Sequence, residues 1–182
     1  MNVMDAIKGR RSVRKYKTDP VSEKTVEMVL EAARWAPSWA NTQCWRFVVV
    51  RAPETKARIA EALRRGNPAT DAVRNAPVVI VACAEMGKSG FYKGQASTDK
   101  GDWVMFDVAL AMQNLVLAAH ELGLGTVHVS LMDARKIEEI LQVPDGVRVV
   151  ELTPLGYPEE QPQGPGRREL SEIIFHERYG QR

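Results

Sequence analysis

"APVVIVACA", residues 76–84, carries no charge, and after its proline holds only β-branched and small apolar side chains. A continuous apolar run of strand length predicts a strand covered on both faces, which sets a sheet at the centre of the molecule. Upstream, "WRFVVV" (45–50) reads as a second strand by its aromatic and β-branched content. Downstream, "GLGTVHVSL" (123–131) is a turn into a strand, and "VRVVELTPLGYP" (147–158) is a strand ending in a turn.

Helical patterns fill the intervals. Residues 2–8 form a short helix stopped by Gly9. A second helix follows the "TDP" turn at 18–20, with Val26, Met28, Val29, Leu30, Ala32 and Ala33 on its apolar side, and "APSWANTQ" (36–43) breaks it. Residues 53–65 are a polar helix ending at "GNP", and 133–141 a short helix ending before Pro144. The stretch 104–122 is apolar nearly all round, which marks a helix internal to the core or shared with a partner subunit. Polar, glycine-bearing 85–101 reads as a mobile excursion and the one candidate lid; the tail 159–182 is loop-like through "QPQGPGRR" before "LSEIIFHERYG". No repeat or linker divides the chain, so residues 1–182 are expected to form one domain. Strands are few and show no regular βαβ alternation, so the class is α+β, with helices around a mixed sheet.

Charge and cysteine usage narrow the function classes. Lysine plus arginine is 25 against 23 for aspartate plus glutamate, a net charge of +2, which lacks the basic surplus of a nucleic-acid coat. Cys44 and Cys83 form no CxxC pair and no disulfide framework, which fits a reducing compartment. The N-terminus places its basic residues after a short amphipathic stretch, the reverse of a secretory signal. Asp107, Gln113, Asn114 and His120 argue against a membrane span at 104–122. A cytoplasmic protein is the expectation. His120, His128 and His176 lack metal-ligand spacing, so no metal site is expected. His120 lies where a helix dipole favours a cation, His128 reads as a structural strand residue, and Cys44 as a packed thiol. "GLGT" (123–126) follows a helix and precedes a strand, the reverse of a dinucleotide-binding turn.

Against that balanced background, "IKGRRSVRKY" (7–16) is a local concentration of five cations. In an extended chain Arg10, Ser12 and Arg14 would line one face over about 13 Å, with Arg11 and Lys15 on the other. Two guanidinium groups flanking a hydroxyl suit an elongated ligand with an anion at one end, because guanidinium pairs phosphate bidentately. A solvated basic loop accounts for the run as well. "APSWANTQCWRF" (36–47) sets Ser38, Asn41, Thr42 and Gln43 between Trp39 and Trp45, donors and acceptors between aromatic walls, as a planar heterocycle requires. A capped turn with core tryptophans is the plainer alternative. "GRRELSEI" (166–173) offers Arg167 and Arg168 as a second anion clamp, or as a solvated turn.

Together, "RRSVRKY", "APSWANTQCWRF", "LGLGTVHVS" and "LGYPEEQP…GRRELSEII" stand in the order and at the spacings of the FMN-dependent nitroreductase family. The chain resembles the shorter branch of that family over essentially its whole length. The resemblance implies a mainly antiparallel mixed sheet surrounded by helices, in a domain-swapped homodimer with two FMN molecules at its interface. It implies that Arg10 and Ser12, with Arg11 close by, bind the FMN phosphate and that Arg14 reaches the pyrimidine edge of the ring. Pro37, Ser38, Asn41 and Gln43 would come from the other subunit. Ser130 and Leu131 would run beside the flavin N5 edge, Arg167 and Arg168 would make a late phosphate contact, and Asn67 is a candidate mid-chain amide. No protein side chain acts as a catalytic acid, base or nucleophile in this scheme. NADH or NADPH is a transient co-substrate, and a small electron-poor acceptor such as a nitroaromatic or quinone follows it in ping-pong order. A specialised flavin enzyme, dehalogenating or flavin-fragmenting, and a flavin-binding sensor with little turnover are the alternatives. The chain departs from the family at Cys44, where proline is usual, and at Leu131–Met132, where many members carry glycine.

Overall fold

The computed structural model describes residues 1–181. Its centre is a four-stranded antiparallel sheet in the order β1 (Trp45–Val50), β2 (Val78–Glu85), β6 (Val147–Gly156), β5 (Gly125–Thr126). The run that opened the sequence reading becomes β2, buried along its length between β1 and β6. Its side chains alternate between two cores. Val78, Ile80, Ala82 and Ala84 face α2 (Glu23–Arg34) and α5 (Val104–Glu121), packing with Val26, Val29, Val108, Met112 and Leu115. Val79, Val81 and Cys83 face α3 (Pro53–Glu61), α4 (Thr70–Asn75) and α6 (Ala134–Leu141), packing with Ile59, Val73 and Ile137. The molecule is therefore three layers, helix, sheet, helix, and a both-face apolar strand is what such a centre needs. The sheet gains a parallel element where Ser12 bridges Thr126, so it is mixed as well as mainly antiparallel.

Local chemistry sets the helix limits. Asn2, Ser22 and Asp133 cap α1 (Val3–Gly9), α2 and α6 by accepting backbone N–H bonds from Asp5, Thr25 and Lys136. Helix α5 is internal: Val108, Ala111, Met112, Leu115, Val116 and Ala119 are fully buried. It still leaves Met105 and Phe106 in its first turn 62% and 55% exposed, an apolar step facing outward. No helix among the described residues is long and apolar enough to cross a membrane.

Several expectations shift. Met28 points outward, because the buried side of α2 is the Val26, Val29, Ala33 stripe at helical spacing. Helix α3 stops at Glu61 instead of 65, and α4 was not anticipated from its short polar sequence. The excursion 85–101 is folded: β3 (Phe91–Tyr92) pairs with β4 (Gln95–Ala96), and Trp103 Nε1 donates to Thr98 Oγ1 at 2.8 Å. The strand expected over 123–131 shrinks to β5 plus a bridge at Val129, and the tail carries one short helix, α7 (Leu170–Ile173).

Candidate cofactor-binding site

The arginine run leaves α1 at Arg10 and lies along the sheet edge, where the Val13 amide donates to the Thr126 carbonyl at 2.9 Å. The tail returns over it, and Lys15 pairs with Glu160 at 3.3 Å. A Cβ on Gly164 would stand 2.7 Å from Arg11 Nε, so the tail passes close against the Arg11 side chain. Between run and tail lies a cavity of about 500 Å³ lined by Arg10, Arg11, Ser12, Arg14, Gly164 and Arg167, among others. Early and late arginines, 153 positions apart from Arg14 to Arg167, thus meet in one place. Arg168 is not part of that lining. Strict alternation is not kept: Arg11 borders the same cavity as Arg10, with Nη1 donating to the carbonyls of Lys8 and Arg10.

Arg10 Nη1 is buried and has no hydrogen-bond partner among the described residues. Burial first, then the charges of Arg11 and Arg167, push its guanidinium below the ordinary value. An unpaired buried donor on a cation is costly, and an anion in the cavity would satisfy it. His120 stands behind this cluster, where a Cβ on Gly9 would come within 2.9 Å of its Nε2. Burial and the charges of Arg10 and Arg11 lower its pKa, against Glu121, so the protonated form favoured by a helix C-terminus is opposed here.

The aromatic turn is elsewhere. Pro37, Asn41 and Gln43 are exposed and Ser38 is half-buried, with Ser38 Oγ accepting from the Gln43 amide at 2.9 Å. Ala40, Asn41 and Gln43 have φ of 44°, 56° and 46°, left-handed values at three non-glycine residues within four positions. The turn is fastened to the start of α5: the Trp39 amide donates to Asp107 Oδ1 at 3.0 Å, and the Trp39 and Trp103 rings lie 5.5 Å apart. The arginine run is fastened to the other end, through Gly9 at His120 and the Met1 ammonium at Glu121, 2.7 Å. Thirteen helical positions from 107 to 120 separate the two anchors, about 20 Å at the helical rise. Within one chain the arginines and the aromatic turn do not meet.

Ser130 and Leu131 are exposed and lie outside the arginine cavity. The Leu131 carbonyl accepts from the Arg64 amide at 3.1 Å and from Asn67 Nδ2 at 2.9 Å. Asn67 is buried: its Nδ2 ties it to Leu131 and its Oδ1 accepts from the Ala69 amide at 2.9 Å. Cys44 is buried, its thiol pushed up to about 11 by desolvation first and by Asp107 second, as suits a packed thiol. His128 is exposed, with Nδ1 2.8 Å from Glu151 Oε2. The residue that the sequence reading did not assign is Asp107. An acid inside a helix that is otherwise apolar nearly all round was the available signal.

The model of the nitroreductase family matches residues 7–73 and 65–157. A Methanothermobacter thermautotrophicus protein described as a candidate NADH dehydrogenase/NAD(P)H nitroreductase is 36% identical over 176 residues, spanning 93% of this chain and 83% of its own. A Rhodospirillum rubrum protein named 5,6-dimethylbenzimidazole synthase is 32% identical over 170 residues, spanning 84% of this chain and 80% of its own. Among solved structures, an FMN-dependent nitroreductase from Clostridium difficile R20291 superposes with a TM-score of 0.80 at 26% identity, covering 96% of this chain and 99% of that one.

Proposed function

The chain belongs to the nitroreductase family, and from that membership we propose that it is an FMN-dependent oxidoreductase using NAD(P)H to reduce a small electron-poor acceptor. The observation that carries the reading is the buried, partnerless Nη1 of Arg10 in a cavity also lined by Arg11, Ser12 and Arg167. That donor set fits the phosphate of FMN: three guanidinium groups and a hydroxyl offer planar, charge-assisted bonds to a dianion. The superposed structure, described as an FMN-dependent nitroreductase, supports the same cofactor.

Arg10, Ser12 and Arg167 would hold the phosphate, with Arg11 beside them. Arg14, exposed on the same cavity, would lie along the ring edge, where a fixed cation stabilises negative charge on a reduced ring. Bound FMN supplies hydride acceptance and donation, the chemistry that no side chain here provides. About 20 Å of α5 separates the arginines from Pro37, Ser38, Asn41 and Gln43. We therefore read the site as completed by the turn of a second copy, in a homodimer. Ser130 and Leu131, held by Asn67, would border the ring from the arginine-bearing chain.

Colour tests this. Protein loaded with FMN and desalted is expected to stay yellow, to bleach with NADH or NADPH, and to recover colour with a quinone or nitroaromatic. Protein that retains no FMN overturns the reading; protein that retains FMN but does not bleach is a binder instead of an enzyme. A second reading has a specific support, the relative named 5,6-dimethylbenzimidazole synthase. Formation of dimethylbenzimidazole by the reduced holoprotein in air, followed by mass spectrometry, would favour it over acceptor reduction.

A further inference from the structure

Asp107 is fully buried, yet it sits in the first turn of a helix whose neighbouring inward positions are Val104, Val108 and Ala111. Its Oδ1 accepts from the Trp39 amide at 3.0 Å. Its Oδ2 accepts from Ser89 Oγ at 2.7 Å, and lies 3.4 Å from Thr42 Oγ1 and 3.7 Å from Cys44 Sγ. Trp39, Thr42 and Cys44 belong to the aromatic turn; Ser89 belongs to the stem of the 91–96 hairpin. One carboxylate at a helix N-terminus, where the dipole favours it, joins two surface segments that share no strand pairing.

We infer that Asp107 is a positioning residue: it holds the 38–44 turn in the shape that meets a second subunit's FMN, and it makes that shape depend on the hairpin. The inference rests on the FMN reading above. Left-handed backbone at Ala40, Asn41 and Gln43 persists only where the surroundings over-determine it. The surroundings here include this acid, the Ser38 hydroxyl, the Trp103 ring against Trp39, and Arg46, whose Nη1 donates to the Gln43 carbonyl at 3.0 Å. Burying a carboxylate to build a core would be a poor solution, since an apolar residue would pack there without desolvating a charge. Four donors converge on it, three from the turn and one from the hairpin stem, and these explain its presence. Asp107 stands about 20 Å along α5 from the arginine cavity of its own chain, so the FMN it acts on is the second subunit's, and Asp107→Asn, which removes the charge while keeping the hydrogen bonds, separates positioning of the turn from direct charge.

The test uses the full-length protein with three variants and two readouts, the FMN dissociation constant by flavin fluorescence and amide exchange across 36–45 in FMN-free protein. Asp107→Ala removes both acceptors and should weaken FMN at least tenfold while speeding exchange in the turn by a similar factor. Asp107→Asn keeps one oxygen for the Trp39 amide and lets the hydroxyls accept, so it should stay within threefold of wild type. Ser89→Ala, which cuts only the hairpin side, should speed exchange in the turn about threefold. Adding Ala40→Gly to Asp107→Ala removes a left-handed penalty and should recover at least threefold in FMN affinity, a rescue that a merely stabilising acid would not show. If Asp107→Ala does not fold, Ser89→Ala decides alone. Asp107→Ala protein that binds FMN within twofold of wild type with unchanged exchange at the turn, or Ser89→Ala protein whose turn exchanges as wild type does, overturns the inference. Wild-type protein that takes up no FMN overturns the reading beneath it instead.

Discussion

The Val13 amide donates to the Thr126 carbonyl at 2.9 Å, and this bond seats the arginine run against the edge of the sheet. The approach is close because Gly125 has no side chain: a Cβ there would stand 2.8 Å from Val13 Cβ and from both its methyl carbons. Gly125→Ala is therefore expected to push residues 12–14 off β5. Overpacking a buried backbone crossing costs about 1–3 kcal/mol. A lower urea midpoint together with weaker FMN retention is the expected pair; a variant as stable as wild type would show that the run is seated by other contacts.

Arg10 should reveal itself by opposite signs in two measurements. Without an anion, its guanidinium is half-buried beside Arg11 and Arg167 and carries a partnerless donor. Arg10→Met keeps the apolar stem and removes that burden, so FMN-free protein should unfold at the same or a higher urea concentration. FMN binding should weaken by about 1–3 kcal/mol for the lost charge-assisted bond, while riboflavin, which has no phosphate, should bind nearly as before. Equal losses for FMN and riboflavin would remove Arg10 from the phosphate end.

His120 gives the FMN-free protein a predictable pH dependence. Its folded pKa is lowered from 6.5 by burial, then by Arg10, with Glu121 opposing and Arg11 adding to the fall. The unfolded chain therefore takes up the proton first as pH drops. Its contribution to stability is present above the unfolded value and is lost as pH falls from there toward the folded value. His120→Gln should flatten the fall in urea midpoint between neutral pH and pH 5. Inorganic phosphate or FMN, by offsetting the cations, should raise the His120 titration midpoint seen by proton NMR. A histidine that titrates identically with and without phosphate would separate it from the arginine cavity.

The layer order was legible because it is written in local patterns. Residues 76–84 had to be covered twice, and β1, β2 and β6 fall within two residues of where side-chain type placed them. The arginine cavity was half legible: the run at 10–14 announced itself, but its union with Arg167 depends on a tail that crosses at Gly164, a packing fact with no short-range signature. Helix α4 was missed because six residues with two charges carry too little periodicity to read. Asp107 was visible as an oddity, although its partners at Trp39, Thr42 and Ser89 lie 18 to 68 positions away in sequence. Long-range polar convergence leaves no pattern in any one window of sequence.

Phe106 tests whether a second copy completes the site. It is 55% exposed beside Met105 at 62%, in the turn of α5 that also carries Asp107, and its ring meets Trp103 edge-on at 5.4 Å. Val3 and Met4 of α1 and Leu170 and Ile173 of α7 are likewise exposed. In the proposed homodimer these apolar side chains are the surface that a second chain would cover. A charge placed in that contact must be desolvated on association, so Phe106→Glu should shift sedimentation equilibrium from dimer toward monomer. The monomer keeps its arginines but loses the turn of its partner, so its FMN affinity should fall at least a hundredfold. The loss should shrink as protein concentration rises and mass action restores the dimer. A monomer that holds FMN as tightly as wild type would mean that one chain suffices, and the 20 Å between arginines and turn would then need another explanation than a shared site.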